Sequence, residues 1–209
     1  MNSKEKIIVV AGGSFQGKSL IALDLAHHLN FSGVLTTDTI RNIFKTISPD
    51  KPHLSTSTYL LSTENLNQQY TDVSKIILDL IPIYQSRGEH IVIEGMHFTP
   101  ELLHFFSKIE YCNIFLNNKL PFHERIIKKQ ITRSNLSMQD GVQTENIDEA
   151  TVESTRYYVH QERIKQIHYD LMQNCVRLGF HIVEFDDLND GKEQVIRIAL
   201  DWIKKFKEG

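Results

Sequence analysis

Apolar positions along the chain fall into five short blocks separated by longer stretches with helical spacing. The first block, Ile7-Ile8-Val9-Val10-Ala11, predicts a strand. The positions Ile21, Ala22, Leu25, Ala26 and Leu29 that follow form the stripe of a helix lying on a sheet. Gly33 to Thr37 predicts a second strand ending at Asp38, and Ile40 to Ile47 a helix. Pro49, Pro52 and the polar run Ser55-Thr56-Ser57-Thr58 make Ser48 to Ser62 a loop or a broken helix over the sheet edge. A long helix follows from about Glu64 to Gln85, and its interior Pro82 predicts an early end or a kink.

His90-Ile91-Val92-Ile93 is too uniformly apolar for a half-exposed edge, so it predicts a central parallel strand stopping at Glu94-Gly95. Thr99 as N-cap and Pro100 at the first helical position open the next helix, which leads to the strand Tyr111 to Leu116. Phe122 to Ser134 predicts a basic helix, and the polar, glycine-containing Ser137 to Asn146 a mobile segment. One helix is expected from about Glu149 to Arg177, capped by Gly179. The fifth strand is Phe180 to Phe185, and Val195, Ala199, Trp202, Ile203 and Phe206 mark a closing helix.

Strands alternating with helices imply right-handed crossovers and a parallel sheet with helices on both faces, its ligand site at the strand C-termini. The residues after the strands are therefore the informative ones. After the first lies Gly12-Gly13-Ser14-Phe15-Gln16-Gly17-Lys18-Ser19, a P-loop between strand and helix. Its glycines let backbone N–H groups close around phosphates, and the helix N-terminus adds roughly half a positive charge. Gly12 to Leu20 are the expected nucleotide-binding residues, with Lys18 reaching the β- and γ-phosphates and Ser19 a ligand of Mg²⁺.

A chain of 209 residues with net charge −3 and pI near 6.4 argues against a surface built for nucleic acid and favours a small-molecule substrate. Cys112 and Cys175 follow no metal or redox spacing, and no apolar run approaches the ~18 residues that span a bilayer. The expectation is one cytoplasmic domain over residues 1–209, with a lid at about 119–148 and no membrane partner.

After the second strand, Asp38 and Arg41 stand one helical turn apart. Asp38 reads either as an N-cap or as the group that orients and deprotonates an acceptor hydroxyl or holds a magnesium-bound water, with Arg41 on an anionic substrate. Glu94, ending a buried strand, reads as a magnesium ligand through water or as the base itself. His97 and His53 show no metal-ligand spacing. Arg125, Lys129 and Arg133 recur every four residues, which makes either a solvated face or a lid carrying positive charge to the γ-phosphate. Arg156 and Arg163, two turns apart on the expected helix, would lie ~10 Å apart on one face.

In this order, the P-loop, Thr36-Thr37-Asp38-Thr39-Ile40-Arg41, His53 to Leu60, Ile93-Glu94-Gly95-Met96-His97, and Arg156-Tyr157-Tyr158-Val159-His160 with Arg163 to Ile167 resemble the 2-phosphoglycerate kinase family over nearly the full length. The resemblance implies a three-layer P-loop nucleoside triphosphate hydrolase fold with a five-stranded sheet and a helical lid. It implies ATP and Mg²⁺ as cofactors, transfer of the γ-phosphate to a small phosphorylated hydroxy acid, and catalytic roles for Lys18, Asp38, Glu94, Arg125 and Arg133. Substrate contacts are implied for Asp38, Arg41, His53, Tyr59, His97, Arg156 and Arg163, and metal contacts for Ser19, Asp38 and Glu94. Phe15-Gln16 is bulkier than that family's loop, and Leu20 replaces a common threonine. A zeta-toxin-like kinase of nucleotide sugars and a non-catalytic nucleotide-binding regulator are the alternative readings.

Overall fold

The computed structural model describes residues 6–108, 111–129 and 156–208, with side chains to residue 205. Its elements are β1 (Ile7–Ala11), α1 (Lys18–His28), β2 (Gly33–Thr36), α2 (Thr37–Ile47), α3 (Pro52–Ser55), a 3₁₀ turn (Thr58–Leu60) and α4 (Thr63–Ser86). They continue with β3 (Ile91–Gly95), α5 (Pro100–Lys108), β4 (Cys112–Asn118), helical residues 122–129 as α6, α7 (Gln161–Arg177), β5 (His181–Phe185) and α8 (Leu188–Glu208). The sheet is wholly parallel in the order β2-β3-β1-β4-β5. Every strand therefore ends at the same edge, and β1 is flanked on both sides.

Alternation along the strands sorts their side chains into two cores. Ile7, Val9, Ala11, Ile91, Ile93 and Phe115 face α4, α5 and α7, where Val73, Ile77, Leu102, Phe106, Ile167 and Leu171 meet them. Ile8, Val10, Val92, Ile114 and Val183 face α1 and α8, against Ile21, Leu25, Val195 and Ala199. β1 and β3 are buried on both faces, the physical meaning of their uninterrupted apolar runs. This is the three-layer α/β arrangement expected from the sequence.

Local departures have local causes. α4 continues past Pro82 to Ser86, because Pro82 and Leu78 lie on the exposed side of the helix, where water can serve the carbonyl that loses its donor. The expected helix from Glu149 is not continuous where it is described: residues 156–159 are helical, the chain turns at His160, and α7 starts at Gln161. At its other end Gly179 adopts φ +75, its N–H reaching Val176 O and that of Phe180 reaching Cys175 O, a Schellman ending. Residue Arg133, the segment 137–146 and the lid beyond residue 129 lie outside the described residues.

Candidate active site

The cleft at the strand C-termini has a volume of about 410 Å³ and is lined by Ser14 to Leu20, Asp38, Met96, Asn118, Leu120, Arg125, Lys128, Lys129 and Leu188. Its floor is the phosphate loop. Gly17 turns the chain into α1 at φ +78, and no side chain caps the helix, nor does an acid sit in its first turn. The first N–H groups of α1 are thus left for an anion. Lys18 Nζ lies across the loop on Gly13 O at 2.8 Å. Gln16, 2% exposed, accepts from Asn118 N at 2.6 Å and ties the loop to the end of β4. Phe15, at φ +63, packs edge-on against Phe122 of α6 (5.5 Å) and Tyr157 (4.7 Å). The two bulky loop residues are anchors, each packed or hydrogen-bonded to a neighbouring element.

Glu94 lies beneath the loop, beside Val10 in the register of β3 with β1, and accepts from Ser19 Oγ at 3.1 Å. Burial pushes its carboxyl up, with Asp38 adding to the rise, while Lys18 and the Ser19 hydrogen bond oppose it. A hydroxyl and one or two carboxylates are the hard oxygen donors that Mg²⁺ takes beside substrate phosphates, so Ser19, Glu94 and Asp38 suit that ion. Among the described residues no denser cluster of acids, histidines or cysteines could hold a metal.

Asp38 is not the N-cap of α2. Thr36 is, its hydroxyl accepting from Thr39 N at 2.9 Å, which leaves the Asp38 carboxylate free in the first turn. That carboxylate is 67% exposed and 3.6 Å from Arg41 Nε. Partial burial works against its charge, but His97 (charged in the acid range where Asp38 titrates), Lys18, Arg41 and Lys129 outweigh it and hold the carboxyl below its ordinary range. Solvent at the open side tempers the shift. Arg41 also donates to Thr56 O at 3.4 Å.

His97, expected to touch substrate, is instead fully buried with both ring nitrogens engaged. The Thr58 hydroxyl donates to Gln69 Oε1, so Thr58 accepts from His97 Nε2–H, and Nδ1 accepts from Thr37. Gln69 in turn donates to the carbonyls of His53 and Thr56. The ring thus ties the start of α2 to residues 53–60. Gly95 makes this possible, since a Cβ there would collide with the Thr37 side chain.

His53 faces Asp72 at 2.9 Å, where Lys51 also binds, and does not line the cleft. Tyr59 packs on Tyr157 and His160. Arg163 is half-buried and acts on the hydroxyl of Tyr70, which is buried without a hydrogen-bond partner. Arg156 is exposed, and the turn at His160 separates the helical residues that carry it from α7, which carries Arg163. Arg125 lines the cleft 5.5 Å from the Phe122 ring, and Lys129 stands 4.6 Å over Phe15. Lys128, Gln69 and His168 had no local signal in the sequence; Lys128 lines the cleft, and the other two take their roles from partners elsewhere along the chain.

No family model matches the chain. The chain is 22% identical over 217 residues to 2-phosphoglycerate kinase of Methanopyrus kandleri, covering 92% of this chain and 60% of that protein. It is 32% identical to 2-phosphoglycerate kinase of Pyrococcus furiosus over 53% of this chain and 40% of that protein. It is also 27% identical to mevalonate-3-phosphate 5-kinase of Thermoplasma acidophilum over 49% of this chain and 55% of that protein. The chain thus spans about three fifths of the length of the first of these relatives. Among solved structures, shikimate kinase from Acinetobacter baumannii superposes with a TM-score of 0.53 at 13% identity, covering 97% of this chain and 96% of that one. The fold is the P-loop kinase fold, and the sequence is distantly similar to small-molecule kinases.

Proposed function

We propose that the chain is an ATP-dependent kinase that transfers the γ-phosphoryl group to a hydroxyl of a small phosphorylated hydroxy acid of the 2-phosphoglycerate kind. The observation that carries this reading is the placement of the Asp38–Arg41 pair at the edge of the cleft whose floor is the uncapped phosphate loop and Lys18. A pure nucleotide binder has no use for that pair. 2-Phosphoglycerate and mevalonate 3-phosphate, named by the relatives, both combine a carboxylate, a phosphate ester and a hydroxyl, which calls for cations on the acceptor side. Arg41 and Arg163 supply them. Mg²⁺, held through Ser19 and Glu94, would neutralise charge on the β- and γ-phosphates. Lys18 pairs with the same phosphates, Arg125 and Lys129 bring positive charge over them, and Asp38 orients the acceptor hydroxyl and takes its proton.

The test is ADP release from MgATP, alone and with 2-phosphoglycerate, mevalonate 3-phosphate, inositol phosphates and nucleotide sugars. Stimulation by one acceptor that disappears in Asp38→Asn supports the kinase reading and identifies the acceptor. Tight MgATP binding with no stimulation by any of them would overturn it in favour of a regulatory nucleotide binder.

A further inference from the structure

One half-buried titratable side chain that the proposed chemistry leaves unused touches the phosphate loop itself. His168 of α7 accepts from Gly13 N at 3.1 Å through Nδ1, across a sequence separation of 155. Its proton is therefore on Nε2, which donates to Asn117 Oδ1 at 3.2 Å. Asn117 Nδ2 donates to Glu184 Oε1 at 2.8 Å, and Lys119 Nζ holds that oxygen at 2.6 Å. Each donor has one acceptor, so the chain of bonds sets both the tautomer and the amide orientation. The ring lies on Phe115 at 5.1 Å, and burial together with Arg125 and Lys18 lowers its pKa to about 4, which keeps it neutral. The loop is shaped to it: a Cβ on Gly13 would come within 2.6 Å of His168 Cβ.

We propose that His168 is a positioning residue for nucleotide binding, holding the base of the phosphate loop through the Gly13 N–H so that the loop stays in its phosphate-receiving shape. The proposal rests on the nucleotide-binding part of the reading above. Gly12 and Gly13 are the freest pair of residues in the loop. Beside the Lys18 contact on Gly13 O, two bonds hold their N–H groups, Gly12 N to Gly95 O at 3.1 Å and Gly13 N to His168. Without the second, a smaller fraction of molecules holds a competent loop, and the apparent dissociation constant rises in inverse proportion.

The experiment is a calorimetric titration of the full chain with MgATP. In His168→Leu the dissociation constant is expected to rise about tenfold, the effect of one lost hydrogen bond to a buried donor. His168→Asn, whose Oδ1 can stand where Nδ1 stood, should recover most of the affinity. His168→Gln keeps a reach toward Asn117 but not toward Gly13, so it should bind as weakly as the leucine variant. It is also the fallback if that variant does not fold. A general structural role would instead lower the ligand-free Tm and leave the affinities of the folded variants alike. Leucine and glutamine variants that bind as tightly as wild type overturn the proposal, as does an asparagine variant as weak as leucine. A wild-type chain that binds no MgATP overturns the nucleotide reading and this proposal together, and the wild-type titration alone reveals that case.

Discussion

Asp38 and Glu94 are carboxylates near one cleft with opposite environments, one beside cations and open to water, the other buried under the loop. Opposed environments separate their protonation behaviour, and that separation assigns Asp38 the role of an ionised group at neutral pH. Asp38→Asn is expected to lower turnover on the order of 10²-fold while MgATP affinity holds, read from steady-state rates beside a binding titration. Arg163→Ala should raise the acceptor KM with a small change in kcat; a change confined to ATP affinity would remove Arg163 from the acceptor side. Glu94 gives a stability test. Its folded pKa is raised, so its ionisation opposes folding, an effect absent below the unfolded carboxyl pKa and complete once pH has risen through the folded one. Glu94→Gln keeps an acceptor for Ser19 and should raise the Tm at pH 7 while abolishing turnover. The gain should shrink as pH falls toward about 4.

At the scale of the element, α2 presents Asp38 and Arg41, and its first turn depends on one hydroxyl. Thr36 caps the helix through Thr39 N, and Thr37 inserts between Gly95 and His97. Removing the cap in Thr36→Ala should cost about 1 kcal/mol of stability, read by denaturant titration, and reduce turnover more than MgATP affinity, with Thr36→Ser restoring both. The sequence placed a helix here and the Asp38 carboxylate at the helix start. It left open whether Asp38 caps the helix, because Asp, Thr and Ser all serve as N-caps, and only the backbone geometry, with Thr36 at φ −99 and ψ 135, distinguishes among them. The turn at His160 was likewise hidden, since no Gly or Pro marks it. Tyr157 and His160 both pack against Tyr59 at that turn.

Across the whole molecule, two neutral histidines hold elements together, the buried His97 joining α2 to residues 53–60 and the half-buried His168 joining α7 to the phosphate loop. Burial lowers the pKa of each to about 4. Between about 4 and 6.5 the unfolded chain therefore binds protons that the folded chain does not. Stability is full above that window and falls as pH drops through it, by up to about 1.4 kcal/mol per pH unit for each histidine. Chemical denaturation at a series of pH values should show this slope, and His168→Asn should make it shallower; an unchanged slope would mean the ring is already charged in the folded chain. By itself, the sequence determined the parallel sheet and the phosphate loop, because uninterrupted apolar runs and a contiguous glycine-rich motif are local signals. It also brought Asp38 and Glu94 to one edge, since parallel strands end together. The tertiary structure decided what His97, His168, Gln16 and Arg156 do, because their hydrogen bonds or exposure depend on partners as far as 155 residues away or on a turn that no residue type announces. Pairings at such separations follow from how the layers pack, and no spacing along the chain encodes them.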